Sequence, residues 1–363
     1  MTIEKLRRPA VVWGAAVLFA LLVLPGASLV YESSAGESCA RCHEIRPSFD
    51  VWRASTHRTV NCKSCHGGVL TADVGFHMNN LNRLVTHVGG EVPEQIRTRR
   101  ADMDRLMERC RSCHRQEFAD WEAGPHSITY AEIFLDKEHN TKRLLMDDCL
   151  RCHGMHYEGS IRDLVTPVDT RGPWKLKEPG LAGKPTVPCL ACHAMHLEGK
   201  PLAKPLEKPV SPGPGQEIAR PSLALFDRRE FDHLPAAQLP LPRMIEGARV
   251  VRMSPDTRQA LCYQCHAPLA TMQVGSGDDR TAIGVHEGIS CLACHQKHRQ
   301  TTRSSCGTCH PRMSNCGLDV EKMDTTFLST KSKHNIHFVK CIDCHPKGVP
   351  KKKQQAPELA FRR

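Results

Sequence analysis

One five-residue unit, Cys-x-x-Cys-His, recurs nine times along the chain. The units use 18 of the 19 cysteines and leave only Cys316 outside. The paired cysteines are Cys39 and Cys42, Cys62 and Cys65, Cys110 and Cys113, Cys149 and Cys152, Cys189 and Cys192, Cys262 and Cys265, Cys291 and Cys294, Cys306 and Cys309, and Cys341 and Cys344. The histidines that follow them are His43, His66, His114, His153, His193, His266, His295, His310 and His345. Any fold of this chain must therefore build nine sites of one kind, each with two thiols and an imidazole.

A histidine directly after every second cysteine is the attachment sequence of c-type haem. The two thiols add across the haem vinyl groups, and the histidine binds the iron as its proximal ligand. Zinc ribbons also pair cysteines at this spacing, but they do not require a histidine after each pair. A disulfide framework would not keep one fixed spacing throughout. We therefore predict nine covalent haem c groups, which we number first to ninth in chain order.

The chain is short for that number of cofactors. Its 363 residues give about 40 residues per haem (363/9), and aromatic residues make up only 5% of the chain. Such a chain cannot build an ordinary apolar core, so the porphyrins must supply most of the buried apolar surface. The sequence predicts a mostly α fold with extensive coil and very little β structure, in which short helices wrap around a haem stack.

The formal net charge of +11 would suit a protein that binds nucleic acid. Each haem adds two propionates, however, and nine haems add about −18 if these groups ionise like ordinary carboxylates. The total is then about −7 before any charge on the irons. We therefore exclude nucleic acid as a partner and expect many lysines and arginines to pair with propionates.

Residues 10–30 carry no charge and follow three basic residues near the N-terminus. This run is long enough to span a hydrocarbon core, and basic residues ahead of it place the rest of the chain outside the cytoplasm. Residues 1–35 are therefore predicted to anchor the protein on the periplasmic side of the cytoplasmic membrane. The alternative is a signal peptide, cleaved after Ser33-Ser34-Ala35, that leaves a soluble periplasmic protein.

Four further segments follow this N-terminal one. Residues 36–200 hold five motifs, and residues 250–346 hold four. Residues 201–249 lie between them, contain no motif and are rich in proline, which is typical of an extended linker. Residues 347–363 form a basic and polar tail. The sequence thus predicts a five-haem module and a four-haem module joined by a linker.

Residues 38–68 combine the first two motifs with Arg46-Pro47, Trp52 and His57 between them. This stretch resembles the start of the membrane-anchored quinol-oxidising cytochromes of the NapC/NirT type. A weaker similarity continues through residues 87–91 to the third motif, and so covers about the first third of the chain. The resemblance implies that electrons come from the membrane quinol pool.

In that family a methionine often stands two residues after the first haem histidine and serves as an axial ligand, whereas this chain has Ile45. The resemblance places the quinol site against the first haem. The polar residues that it suggests for this site are Asp73, Arg83 and His87, each of which also fits an ordinary helix surface.

Twelve of the 21 histidines lie outside the motifs, and nine irons need at most nine sixth ligands. His156, His196 and His298 each follow a proximal histidine by three residues. That spacing is too close to reach the other face of the same iron, so we expect each to bind a neighbouring haem. We expect His77, His233 and one of His87 or His139 to be bystanders. The candidate distal ligands are His57, His87, His126, His139, His156, His196, His286, His298, His334 and His337.

Two histidine ligands on most irons give closed, low-spin haems of low potential. All nine motifs are regular, so none is marked as catalytic, and we assign no catalytic residue. The sequence favours an electron-transfer protein that works across the periplasm. Its expected donor is membrane quinol or a quinol-oxidising complex, and its expected acceptor is a periplasmic or outer-membrane redox protein.

Two other functions stay open at this point. One is a multihaem oxidoreductase that reduces a nitrogen or sulfur oxyanion at one open haem. Cys316 is the residue that keeps this function open, because a lone thiolate can ligate iron. The other is the haem subunit of a larger membrane redox complex.

Overall fold

The computed structural model groups the chain into two units. The first comprises Met1–Glu122 and His126–Pro235, and the second comprises Ala123–Pro125 and Ala236–Arg363. The structure describes residues 11–15, 17–19, 33–34, 36–67, 82, 84–90, 97–196, 222–266, 280–299, 302, 306–310, 322 and 335–348.

Every Cys-x-x-Cys-His motif forms a helical turn. Seven motifs lie on α-helices, and the first and fifth lie on 3-10 turns at Cys39–Arg41 and Cys189–Ala191. Residues i and i+3 share one face of a helix, so the two cysteines of a motif project to the same side. The histidine then lies in the last turn or just beyond it, as His114 does after the helix Arg100–Cys113. The motif spacing and the helical geometry together present two thiols and one imidazole to a single porphyrin.

The first unit consists mainly of short helices. Thr129 and Glu132 form a capping box at the start of the helix Tyr130–Phe134, and the Asp136 carboxylate caps the start of the helix Lys137–Lys142. The helices whose bounds are described are α1 (Arg46–Ala54), α2 (Cys62–His66), α3 (Arg100–Cys113), α4 (Arg115–Glu122), α5 (Tyr130–Phe134), α6 (Lys137–Lys142), α7 (Cys149–His153) and α8 (Ile161–Leu164), with further 3-10 turns at Pro125–Ser127 and Pro179–Leu181. Residues 84–88 are helical as well.

One apolar cluster lies around α5, α7 and α8. Tyr130 and Phe134 stack in it with ring centroids 5.9 Å apart. The fully buried Asn140 donates from Nδ2 to the Phe134 carbonyl at 2.8 Å, so its amide group is satisfied inside the core. The cluster is formed by Tyr130, Phe134, Leu145, Leu150, Tyr157, Ile161, Leu164 and Val165.

Two short antiparallel hairpins complete the described part of the first unit. β1 (Val165–Thr166) pairs with β2 (Lys175–Leu176), and β3 (Ala224–Asp227) pairs with β4 (Asp232–Pro235). The start of β3 runs along the fifth motif, because the Ala224 amide donates to the Cys192 carbonyl at 3.1 Å. The β3–β4 hairpin therefore lies directly against the site of the fifth haem.

The described part of the second unit also consists of short helices, 3-10 turns and a short hairpin. Its hairpin is tied to haem-bearing segments by two ion pairs of 2.7 Å, Arg249 with Glu287 and Lys340 with Glu246. Its elements are β5 (Ile245–Glu246), β6 (Arg249–Val250), α9 (Ala260–His266), α10 (Cys291–Cys294), α11 (Cys306–Cys309) and α12 (Cys341–Cys344), with 3-10 turns at Ala236–Gln238, Thr257–Gln259 and Gly284–His286.

The predicted fold class is confirmed. The helices run from four to 14 residues, and the strands from two to four. Long coils connect them in both units. Of the segment expected to be a linker, residues 222–249 are described, and they contain the β3–β4 hairpin and most of the β5–β6 hairpin.

The predicted membrane anchor is wrong. Among the described residues, no helix combines the length and the apolar character that crossing a membrane requires. Within the apolar stretch 10–30, the described helical residues are 11–15 and 17–19, and the remainder lies outside the described part of the chain. A spanning helix needs about 20 residues. The expected attachment to the cytoplasmic membrane through this segment is therefore not retained.

Candidate haem-binding sites

Five proximal histidines each face one of the predicted distal histidines. Three of these pairs lie in the first unit and two in the second. The distances between ring centroids are 5.5 Å for His43 and His87, 6.0 Å for His114 and His57, 5.8 Å for His66 and His196, 6.2 Å for His310 and His286, and 6.1 Å for His295 and His337.

These distances fit one metal ion between two imidazoles. A metal–imidazole bond is about 2 Å long, so two rings on opposite sides of one metal have centroids roughly 6 Å apart. The residues present therefore fit haem iron held by two histidines at the first, second, third, seventh and eighth haems.

Hydrogen bonds to backbone carbonyls fix the orientation of two distal rings. Nδ1 of His196 lies 3.3 Å from the Ser48 carbonyl, and Nδ1 of His286 lies 3.1 Å from the Ile336 carbonyl. A carbonyl only accepts, so each Nδ1 carries the proton and each Nε2 keeps a free lone pair. Because a second hydrogen bond of this kind sets the tautomer of a metal-binding histidine, Nε2 is the nitrogen that faces the iron.

Glu44 plays the corresponding part at the first haem. Its Oε1 lies 2.8 Å from Nδ1 of His87 and 3.2 Å from Nε2 of His43. The ligand atoms of these three residues lie within 4.8 Å of one another, which is close enough for one metal ion. With iron on Nε2 of His43, the carboxylate would keep only its contact with Nδ1 of His87 and would accept the proton of that nitrogen.

Burial keeps several of these rings neutral. Desolvation lowers the pKa of His196, of His286 and of His295 below the usual histidine range. Desolvation also lowers the pKa of His57, with a smaller contribution from His114 beside it. Iron binds the neutral imidazole, so the lowered pKa values favour the ligand form in neutral solution.

Thiols of different motifs also lie close together. A hydrogen bond between Cys110 and Cys189 raises the pKa of the first thiol and lowers that of the second. A hydrogen bond from Cys262 lowers the pKa of Cys291 in the same way. Burial raises the pKa of Cys192 to about 11. Since each thiol marks an edge of its porphyrin, the third and fifth haems are neighbours, and so are the sixth and seventh.

His156 occupies a different environment from the paired histidines. Its ring is buried and stacks on Phe226, with centroids 3.9 Å apart and planes 13° from parallel. Desolvation lowers its pKa to about 3, and His233 adds a smaller repulsion. His233, expected to be a bystander, donates from Nε2 to the Leu190 carbonyl of the fifth motif at 2.9 Å. The β3–β4 hairpin thus packs aromatic and imidazole rings between the fourth and fifth motifs.

The other candidates differ in exposure and in position. His126 and His139 are exposed, the latter on α6, and His298 is half-buried after the seventh motif. His334, His77, Cys316, Asp73 and Arg83 lie outside the described residues. Because His87 rather than His139 faces a proximal histidine, the structure favours His87 as the ligand of that alternative pair.

Sequence reasoning missed the groups that orient the ligands. Glu44 follows a proximal histidine directly, so its position in the sequence could have suggested this role. The Ser48 and Ile336 carbonyls carry no signal in the sequence, because any residue supplies a backbone carbonyl. Phe226 and His233 lie in a stretch without motifs, and only the fold brings them to the fourth and fifth haem sites.

Two parts of the chain match known families. Residues 109–194, which contain the third to fifth motifs, match the family of cytochrome c554 and c-prime. Residues 250–311, which contain the sixth to eighth motifs, match the family of cytochrome c7 and related cytochrome c. No curated protein and no solved structure is significantly similar to the chain. The helical motifs, the facing histidines and the two family matches identify the chain as a multihaem c-type cytochrome.

Proposed function

We propose that this cytochrome binds nine haems and transfers electrons through them rather than reducing an oxyanion at one of the haems. The observation that carries the proposal is the set of five facing histidine pairs, at centroid distances of 5.5 to 6.2 Å. An iron with an imidazole on each side has no open position for a substrate. These five sites therefore support electron transfer rather than reaction with a substrate at their irons.

The haem irons, when bound, supply reversible one-electron chemistry. The chain itself closes both axial positions, fixes the ring tautomers and keeps neighbouring porphyrin edges together. Bis-histidine ligation also holds the potentials lower than histidine–methionine ligation would. Close edges and rigid ligands both favour rapid electron exchange between neighbouring haems.

We further propose that the electrons derive from quinol and leave to a downstream redox protein outside the cytoplasm. Covalent haem attachment through paired thiols belongs to that compartment, and the similarity of residues 38–68 to the NapC/NirT type supports the quinol origin. Oxidation of one quinol releases two electrons and two protons, so the chain must accept two electrons in one-electron steps. A quinol-oxidising complex is an equally suitable donor.

The number of haems can be checked by intact mass. We expect the mature protein to exceed its polypeptide mass by nine haem masses, because all nine motifs are regular and helical. Replacing Cys306 and Cys309 by serine should remove a single haem mass and leave the other eight in place. A fully matured wild-type protein that lacks two or more haems would contradict the count.

The second haem tests the ligand assignment. His196→Ala should open this haem, because the His196 ring faces His66 at 5.8 Å and its Nδ1 is held by Ser48. We expect one iron to become high-spin by electron paramagnetic resonance and to bind carbon monoxide when reduced. Added imidazole should restore the low-spin signal.

The matched control is His139→Ala, which removes an exposed histidine on α6 that has no facing ring among the described residues. Its spectrum should equal that of the wild type. If His196→Ala leaves every iron low-spin, the ligand assignment is wrong. If the wild-type protein already shows a full high-spin haem and reduces nitrite, hydroxylamine or tetrathionate, an oxidoreductase replaces the electron-transfer function.

A further inference from the structure

We propose that the seventh haem is the branch point of the second unit, in direct contact with the sixth, eighth and ninth haems. The inference rests on the proposed electron-transfer function and adds the order of the haems in space. If the haems were arranged in chain order, the seventh haem would be a neighbour of the sixth and the eighth alone. Three separate sets of contacts in the described residues instead bring three haem motifs to it.

The first contact set joins the seventh haem to the eighth. His286 faces His310, the proximal ligand of the eighth haem, at 6.2 Å. His286 also lies only five residues before Cys291, which attaches the seventh haem. Five residues span at most about 18 Å even when fully extended, and this segment contains the end of a 3-10 turn and the two turn residues Glu287 and Gly288. The two haems are therefore held within one short loop.

The second contact set joins the seventh haem to the ninth. His337 faces His295, the proximal ligand of the seventh haem, at 6.1 Å with the rings 20° from parallel. His337 lies four residues before Cys341, which attaches the ninth haem. The sixth ligand of the seventh haem thus comes from the segment that carries the ninth.

Backbone hydrogen bonds hold these two ligand-bearing segments side by side. The Ile283 amide donates to the His337 carbonyl at 2.8 Å, and the Val285 amide donates to the Val339 carbonyl at 3.0 Å. Gly284 lies between them with φ +74, and a Cβ on it would lie 2.2 Å from the Val339 carbonyl oxygen. Only glycine allows this approach, since it is free of both the steric clash and the strain of positive φ. His286 and His337 are therefore positioned by one crossing of the chain.

The third contact set joins the seventh haem to the sixth. The fully buried Gln259 side chain accepts a hydrogen bond from the Cys291 amide at 3.3 Å and donates to the Ser254 carbonyl at 2.8 Å. One residue earlier, the Ser290 hydroxyl donates to the Asp256 carboxylate at 2.8 Å. These bonds pack the start of the seventh motif on the turn that leads into α9, which carries the sixth motif.

A contact between thiols supports this packing. The Cys262 thiol lies within hydrogen-bonding reach of the Cys291 thiol. The attachment edges of the sixth and seventh haems therefore lie near each other. Electrons move one at a time from a ferrous iron to a ferric neighbour, so three routes within the second unit meet at the seventh haem.

Replacing a distal histidine by methionine tests how many haems lie beside the haem that it binds. His337→Met should give the seventh haem a histidine–methionine ligand set, which raises its potential, so that it is reduced first in a titration. Reduced low-spin iron is diamagnetic, and its magnetic coupling to ferric neighbours then disappears. We expect the paramagnetic resonance signals of three other haems to change together at this first reduction step.

The matched control is His286→Met, which should raise the potential of the eighth haem. The contacts of His286 place that haem beside the seventh haem and beside the segment that precedes the ninth motif, so at most two signals should change at the first step. A change at fewer than three signals in His337→Met, or at three signals in His286→Met, overturns the branch point. If a methionine variant fails to mature, His337→Ala should broaden three low-spin signals through a high-spin seventh haem, and His286→Ala at most two.

The experiment separates this inference from the proposed function. Magnetic contact between haems is measured without any electron donor or acceptor, so it can be present in a protein that does not serve as a conduit. Conversely, wild-type protein that passes electrons from a reduced quinone analogue to an artificial acceptor supports the conduit, even where the signals show a linear order.

Discussion

Without its haems, the chain is expected to lose most of its helical structure. The buried apolar cluster around α5, α7 and α8 contains eight residues, and most of the helices have nine residues or fewer. Isolated helices of that length are marginal in water. Ordering each residue costs about 1–2 kcal/mol of backbone entropy, which so small a cluster cannot offset over 363 residues.

Far-ultraviolet circular dichroism of protein made in cells without the haem-attachment machinery measures this effect. We expect a spectrum dominated by coil and no cooperative thermal transition. The variant with serine at Cys306 and Cys309 is the control, because it lacks one haem of the second unit only and should keep the transition of the first unit. A haem-free chain with native-like helix content and cooperative unfolding would show that the protein supplies its own core.

The fold class was accessible from the sequence because the cofactor motif constrains local structure directly. Cysteines three residues apart share a face only on a helical turn, and all nine motifs form one. The ratio of about 40 residues per haem (363/9) likewise predicted that the helices and strands would be short. The membrane anchor was a different kind of inference, since hydropathy measures the apolar character of a segment and says nothing of how much of it is helical.

The sequence predicted how many histidines serve as distal ligands, but not which haem each of them faces. His57 lies between the first two motifs, yet it faces His114 of the third. His196 lies just after the fifth motif, yet it faces His66 of the second. Spacing could exclude the haem of the same motif for His196, but the choice among the others depends on tertiary contacts that no local pattern encodes. His233 illustrates the same limit, because its contact with Leu190 comes from the β3–β4 hairpin.

That hairpin leads to the second large effect, the loss of stability expected in Phe226→Ala. Phe226 is 2% exposed, stacks on His156 at 3.9 Å and lies 5.3 Å from the His233 ring. Beside it, the Arg228 guanidinium donates to the carbonyls of Tyr157 and Gly159. The β3–β4 hairpin thus packs against the segment after the fourth motif and also against the fifth motif.

Removing the ring leaves a cavity between two haem-bearing segments and exposes His156 to water. Truncation of a buried phenylalanine to alanine costs about 3–5 kcal/mol, which lowers the melting temperature of a unit of this size by roughly 6–20 °C. We expect a shift in that range by circular dichroism, with faster hydrogen exchange at the amide of Ala224, which bonds to the Cys192 carbonyl.

Phe226→Leu is the matched variant, because it keeps most of the apolar volume and loses only the stacking on His156. Volume-conserving changes in a core usually cost less than about 1.5 kcal/mol, so its melting temperature should stay close to that of the wild type. Equal shifts in the two variants would mean that the aromatic stack, rather than the filled volume, stabilises the hairpin. No shift in either would mean that the haems alone hold the fourth and fifth motifs together, since the hairpin would then contribute nothing that the cofactors do not already provide.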